Sequence, residues 1–481
     1  MADMLPLTVA KRREHDSLGE IDVDAEAYYG AQTARAFANF QISGIPIGHY
    51  AVFIRALAYV KKAAALANRE LGDLDARKAE AIVAACDDIA SGKHADQFVL
   101  DVFQGGAGTS TNMNINEVVA NVALEHLGLP KGRFDDIHPN NDVNLSQSTN
   151  DVYPTAIRLA LLLSYQNLST ALEGLAGAFE TKAGEFSEVL KLGRTQLQDA
   201  VPMTLGQEFM AFAVTLREDI LRLEDAARLL REINLGGTAI GTGITADPRY
   251  AALAIRKLAE VSSVDLVPAS DFVEACWDTG AFVLFSGTLK RTAVKLSKIS
   301  NDLRLLSSGP RGGLGEINLP PMQPGSSIMP GKVNPVIPEV VNQVAFQVIG
   351  ADLVVTLAAE AGQLQLNAFE PVIVFNLLQS ITLMTNAVKT LADKCVVGIT
   401  ANEERCRQHL EAGTALATAL TSLIGYEKAA DLAKEILATG RPLRDLLNES
   451  QSLSADLLEQ VFDARALTRP SRFRQPPPTG G

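Results

Sequence analysis

VIPEVVNQVAFQVIGADLVVTLAAEAGQL, the stretch from Val336 to Leu364, decides the fold. Apolar residues fall on nearly every side of the helix it predicts, and charges are sparse. Pro371 to Leu391 has the same character. A helix that is apolar all round must be buried all round. Two such helices in one chain predict a central bundle, completed by further copies of the chain, with a bundle closed within one chain as the alternative.

Upstream, Leu205, Phe209, Phe212, Leu216, Ile220, Leu223, Ala227 and Leu230 recur at spacings of three and four between Thr204 and Asn234. That is one face of a long amphipathic helix. It stops at Gly236-Gly237. At about 1.5 Å per residue it spans roughly 40 Å, far more than a typical globular helix. Asp151 to Leu192 also reads as helical, with Thr149 or Asn150 suited to the N-cap and Pro154 tolerated in the first turn. Aromatic residues are few, whereas Ala, Leu and Val are many, which favours helix over sheet. The fold class expected is mainly α, with a first domain 1–149, a long-helix domain 150–404 and a small C-terminal helical domain 405–481. Its tail, Pro470–Gly481, contains Pro476-Pro477-Pro478 and reads as poorly ordered.

Composition narrows the function. The chain has 481 residues and a net charge of −13, with no Lys/Arg-rich run, which argues against nucleic-acid binding. Cys86, Cys276, Cys395 and Cys406 show no paired spacing, so no disulfide framework or zinc site is expected. The first sixteen residues lack the apolar core of a signal peptide. The most apolar stretches contain Asp352 and Glu360, so no membrane span is expected and the location expected is cytoplasmic.

The chemistry concentrates in Gly325-Ser326-Ser327-Ile328-Met329-Pro330-Gly331-Lys332-Val333-Asn334-Pro335. Glycines allow backbone N–H groups to approach a ligand, and prolines restrict the loop's shapes. Lys332 and Asn334 can grip a carboxylate, and Ser326 and Ser327 offer oxygens able to accept or donate a proton. A second flexible run, Ser308 to Gly315, precedes it, and loops this long are usually functional.

Three further segments combine hydroxyl and amide residues near expected helix starts: Gly105 to Asn114, His138 to Asp151, and Gly193 to Asp199. Helix N-termini present unpaired N–H groups and partial positive charge, which suit carboxylates. Singly, such residues are more often caps than binding groups. Together with Lys332 they supply donors for two carboxylates and almost no metal ligands. Gly105 to Gly108 also lacks the Lys-Ser/Thr ending of a phosphate loop.

These motifs resemble the fumarase/aspartase superfamily, whose hallmark is the serine loop Gly325–Pro335. The likeness runs through 20–33, 106–117, 146–155, 193–209, 235–243, 322–335, 362–371 and 398–402. It implies a homotetramer built on a central bundle, each active site shared by three subunits. Within the superfamily the aspartase branch is the nearer. It implies reversible deamination of L-aspartate to fumarate and ammonia, with Ser326 as the base that takes the Cβ proton. Thr109, Ser148, Thr149 and Ser327 would hold the resulting enediolate-like intermediate. Lys332, Asn334 and Thr195 would hold the α-carboxylate, and Asn150 and Gln196 the amino group. No cofactor or metal is implied, with Mg2+ activation left open.

Two other readings stand beside it: a fumarate hydratase of the class II type, and an inactive helical scaffold of the same superfamily. Hydroxide is a poor leaving group that benefits from a general acid, whereas ammonia leaves a protonated amine as a neutral molecule. Fumarases of this kind usually carry a histidine after Thr195. Here the residue is Gln196, which cannot transfer a proton, although Glu339 remains, and no histidine lies between His138 and His409. Ser148-Thr149-Asn150 and Gln363 to Asn367 also resemble the aspartase branch. After His138-Pro139 the superfamily often shows Asn-Asp. This chain has Asn140-Asn141, so His138 reads as an exposed loop residue.

Overall fold

The computed structural model describes residues 10–450, 454, 457–459 and 462–469. The proline-rich tail from Pro470 lies outside them.

The chain opens with the hairpin β1 (Lys11–Asp16) and β2 (Gly19–Asp24). Helices α1 (Ala31–Asn39), α2 (Ala51–Leu71), α3 (Ala76–Ala90) and α4 (Thr109–His126) follow. Next come α5 (Thr149–Glu185), the hairpin β3 (Leu190–Thr195) and β4 (Gln198–Thr204), and α6 (Leu205–Leu229). Short strand β5 (Glu232–Ile233) precedes α7 (Tyr250–Ser262), β6 (Val267–Pro268), α8 (Gly280–Leu306) and β7 (Ile317–Asn318). Then come α9 (Val336–Glu360), α10 (Glu370–Lys394) and β8 (Thr400–Ala401). The remaining helices are α11 (Glu403–Ala412), α12 (Ala415–Ile424), α13 (Tyr426–Thr439), α14 (Leu443–Ser450) and α15 (Ala464–Thr468). Helix dominates, as composition and periodicity predict.

The chain divides into two compact units. Unit 1 comprises 1–169, 221–291 and 347–383; unit 2 comprises 170–220, 292–346 and 384–481. The boundaries fall inside α5, α6, α8, α9 and α10. In unit 1, α2 packs on α3 and α7, and α3 on α4. Ala56, Ala58, Ala63, Ala64, Ala65 and Ala67 of α2 are buried, and such small side chains let helix axes approach closely. In unit 2 a leucine cluster joins Leu192 of β3 to Leu410, Leu416, Leu420, Ile436, Leu443 and Leu446 of the C-terminal helices.

The spans 336–360 and 370–398 are each long and apolar enough to cross a membrane, which corrects the expectation that Asp352 and Glu360 would disqualify them. Asp352 is neutralised by Lys290 at 2.5 Å. The two helices differ in how the chain covers them, with 67% of the apolar window buried in 370–398 and 39% in 336–360. The uncovered part of α9 carries Phe346, Leu353 and Leu357, each about 60% exposed.

Candidate active site

In unit 1, two helix starts are pressed together. Gly108, at φ 88°, immediately precedes α4, and a Cβ there would meet the Tyr153 ring at 2.4 Å. Only glycine permits this approach. Tyr153 opens the second turn of α5, and Asn112 of α4 reaches Thr149 at 3.2 Å, so the starts of α4 and α5 lie beside each other. Thr109 is exposed, Thr149 buried, and Ser148 and Asn150 half-buried.

The α5 cap lies one residue earlier than the sequence predicts. Ser148 Oγ accepts from Asn150 N at 3.2 Å, and Ser148 N donates to Asp151 Oδ1 at 2.8 Å. This reciprocal pair is a capping box, which Thr149 and Asn150, already inside the helix, cannot form. Asp151 Oδ2 accepts from Gly236 N at 2.8 Å and Thr238 N at 3.2 Å. Burial pushes its carboxyl up to about 6, against these N–H bonds and Lys61. Asn150 Nδ2 donates to Ala239 O at 2.6 Å.

His138 is not an exposed loop residue. It is half-buried, and its Nδ1 accepts from Asn140 N at 3.0 Å and Asn141 N at 3.2 Å, capping the single turn Pro139–Val143. A nitrogen already accepting two N–H bonds resists protonation, and burial lowers the ring's pKa.

In unit 2, Thr195 and Gln196 occupy the exposed tip of the β3–β4 hairpin. Gln196 and Leu197 both have positive φ, 55° and 62°. That is the two-residue turn that Asn-Gly usually fills, held here without glycine. Beneath the tip, Arg194 and Lys191 reach the fully buried Glu316 at 2.7 and 3.1 Å, and His409 Nδ1 lies 2.9 Å from it. Lys191 also meets Glu208 at 2.6 Å. Burial alone would raise Glu316. Arg194, Lys191 and His409 more than offset it and hold the carboxyl below its usual range.

The serine loop is closed on itself. Gly325 N donates to Lys332 O, and Asn334 Nδ2 donates to Gly325 O, both at 2.8 Å. A Cβ on Gly325 would meet Lys332 O at 2.5 Å. Ser326 Oγ accepts from two backbone groups, Ile328 N at 3.2 Å and Met329 N at 3.1 Å. Ser327 and Lys332 are exposed, and Ile328 is 83% exposed, so the loop is open to solvent in the single chain. A cavity of about 380 Å³ lies between 331–335 and 307–310.

Thr109, Ser148, Thr149 and Asn150 therefore belong to unit 1, and Thr195, Gln196, Ser326, Ser327, Lys332 and Asn334 to unit 2. Within unit 2, the hairpin tip and the serine loop share no hydrogen bond among the described residues. Among those residues no cluster of three His, Cys, Asp or Glu side chains is able to hold a metal ion. Sequence reasoning missed the buried Lys61 of unit 1 and the buried Glu316 of unit 2, whereas Asn112, Asn144, Gln147 and Asp151 lie in segments it singled out, though without their partners. A lysine pair inside alanine-rich α2, and asparagines at every second position from Asn112 to Asn116, were the available signals.

Residues 19–350 match the family model described as Lyase, and 416–469 match that described as Fumarase C C-terminus. An aspartate ammonia-lyase of Pseudomonas fluorescens is 59% identical over 471 residues, 98% of each chain. The chain belongs to the aspartate ammonia-lyase family of the fumarase/aspartase superfamily. Among solved structures, a Brucella melitensis protein described as fumarate lyase:delta crystallin, bound to cobalt, has a TM-score of 0.92 and 62% identity, covering 95% of this chain and 99% of its own. A class II fumarase from Schistosoma mansoni reaches a TM-score of 0.88 at 36% identity, covering 94% and 98%. This chain thus shares its fold with a class II fumarase, and identity separates the branches: 59% to the aspartate ammonia-lyase, 36% to the fumarase.

Proposed function

We propose that the protein converts L-aspartate reversibly to fumarate and ammonia. In this reading Ser326 Oγ takes a proton from Cβ, and the electron pair left behind spreads onto the β-carboxylate. Thr109, Ser148, Thr149 and Ser327 donate to that carboxylate as its charge grows. The pair then forms the carbon–carbon double bond as the C–N bond breaks, and ammonia leaves from the protonated amine. Lys332, Asn334 and Thr195 hold the α-carboxylate, while Asn150 and Gln196 orient the amine.

The observation that carries this reading is the pair of N–H groups on Ser326 Oγ. A serine hydroxyl is normally too basic to ionise at neutral pH, and hydrogen bonds to the charged form favour it. Two preset backbone donors lower the cost of an alkoxide, most effectively where water is excluded. Because the loop is open in one chain, the dry environment would come from closure and from neighbouring copies.

The bare apolar face of α9 supports the homotetramer, with each active site shared by three subunits. The three-part layout 1–149, 150–404 and 405–481, a cytoplasmic location and a mechanism without a cofactor complete the proposal. Fumarate hydration is the second reading, and Gln196, unable to move a proton, counts against it.

Ultraviolet absorbance of fumarate tests the proposal, with aspartate and malate offered separately. Growth of the signal on aspartate alone supports it. Growth on malate alone supports the hydratase, and silence on both supports a scaffold.

A further inference from the structure

Lys61 is fully buried in the middle of α2. Its Nζ donates to Asn144 Oδ1 at 2.9 Å and to Gln147 Oε1 at 3.0 Å. An ammonium has donors and no acceptor, so both amides must turn their oxygens toward it. Gln147 Nε2 then donates to the Val143 and Leu145 carbonyls, both at 3.0 Å, and Asn144 Nδ2 to Gln147 O at 3.2 Å. Both amides are locked in one sense.

The constraint passes to the next residue. Asn144 Oδ1 also faces Asn112, at 3.2 Å, and only the Nδ2 side of Asn112 can meet an oxygen. The other hydrogen of that Nδ2 goes to Thr149 Oγ1, again at 3.2 Å. Asn112 Oδ1 is buried and has no hydrogen-bond partner among the described residues, so this orientation is imposed from the Lys61 side. With Asn112 donating into Oγ1, the hydroxyl hydrogen of Thr149 is directed elsewhere. We propose that Lys61 is a positioning residue: through Asn144 and Asn112 it fixes Thr149 as a donor to a carboxylate of the ligand. The identity of that ligand rests on the function proposed above.

The competing explanation is that Lys61 only balances the buried charge of Asp151. The two differ in additivity. If Lys61 acts through Thr149, removing both costs no more than removing one; if it serves the fold alone, the losses multiply. Burial lowers the Lys61 pKa to about 7, Asp151 opposing. A neutral amine keeps two hydrogens for two acceptors, so the polarity outlasts the charge.

The test uses succinate binding to the full chain by titration calorimetry. Lys61→Met and Thr149→Val should each weaken binding roughly 10-fold, the scale of one hydrogen bond to a charged group. The double variant should fall within twofold of the weaker single; a product of the two losses would overturn the proposal. Should Lys61→Met fail to fold, Asn112→Asp decides. Its carboxylate accepts from Thr149 and turns the hydroxyl inward, so binding should again weaken about 10-fold with the melting transition retained. Wild-type affinity in that variant would overturn the proposal. Fumarate release by the wild type is scored separately: its absence, alongside the expected pattern of succinate affinities, would sink the proposed reaction and leave the role of Lys61 standing.

Discussion

Arg194 and Glu316 meet at 2.7 Å, joining the strand that carries Thr195 to the segment that leads into the serine loop. The carboxylate has none of its side chain exposed, and Lys191 and His409 approach it as well. Three charged or polar groups, two from β3 and one from α11, thus converge on one carboxylate at the approach to β7.

Replacing Glu316 with Ala should therefore destabilise the protein by about 3–5 kcal/mol, because the nearly buried Arg194 loses its counter-charge and Lys191 is left with Glu208 alone. Urea unfolding measures this. A loss under about 1 kcal/mol would show the cluster to be well solvated.

Ser326→Ala should abolish turnover while leaving aspartate or succinate affinity within a few-fold, since the methyl group removes the base and no ligand contact assigned above. Fumarate formation and calorimetry on the same preparation report the two effects. Substantial residual turnover would remove Ser326 from the role of base.

Leu197→Gly should raise stability by about 0.5–1 kcal/mol, because a residue at positive φ is relieved of its clash with the backbone. Leu197 is 71% exposed, so little packing is lost. The melting transition reads the change, and a lower midpoint would contradict the strain argument.

Glu370 gives a pH signature. Burial raises its carboxyl from 4.5 to about 8, with Arg158 opposing. Between those values the folded chain holds a proton that the unfolded chain has released, so stability falls as pH rises through the window. Glu370→Gln cannot titrate. It should match the wild type near pH 5 and exceed it at pH 8 by on the order of 1–3 kcal/mol. Unfolding curves at the two pH values decide, and equal differences at both would refute the assignment. Glu117, raised to about 7, and Asp151, raised to about 6, slope the same way, so part of the wild-type slope should persist in the variant.

Much of this was legible in the sequence because it is periodic or local. Helices α9 and α10 lie where apolar spacing places them, α6 starts where expected but ends at Leu229, short of Gly236-Gly237, and Gly325–Pro335 forms a loop because its own residues require one. The helical reading that runs on to Leu192 overshoots the end of α5 at Glu185 and takes in the start of β3, since a six-residue strand beside a long helix adds too short an alternation to stand out. The polar groups behind the site were invisible for another reason. Lys61 meets Asn144, and Arg194 meets Glu316, across 83 and more than a hundred residues of chain. No local pattern encodes such a meeting; only the packed helices create it.

The outward face of α9 bears on the life of a new copy of the chain. In the proposed tetramer that face is covered, so a copy that has not yet assembled carries Phe346, Leu353 and Leu357 bare to water. Under that proposal every molecule faces a race between productive encounter and misassociation, and the outcome turns on how fast and how crowded its synthesis is.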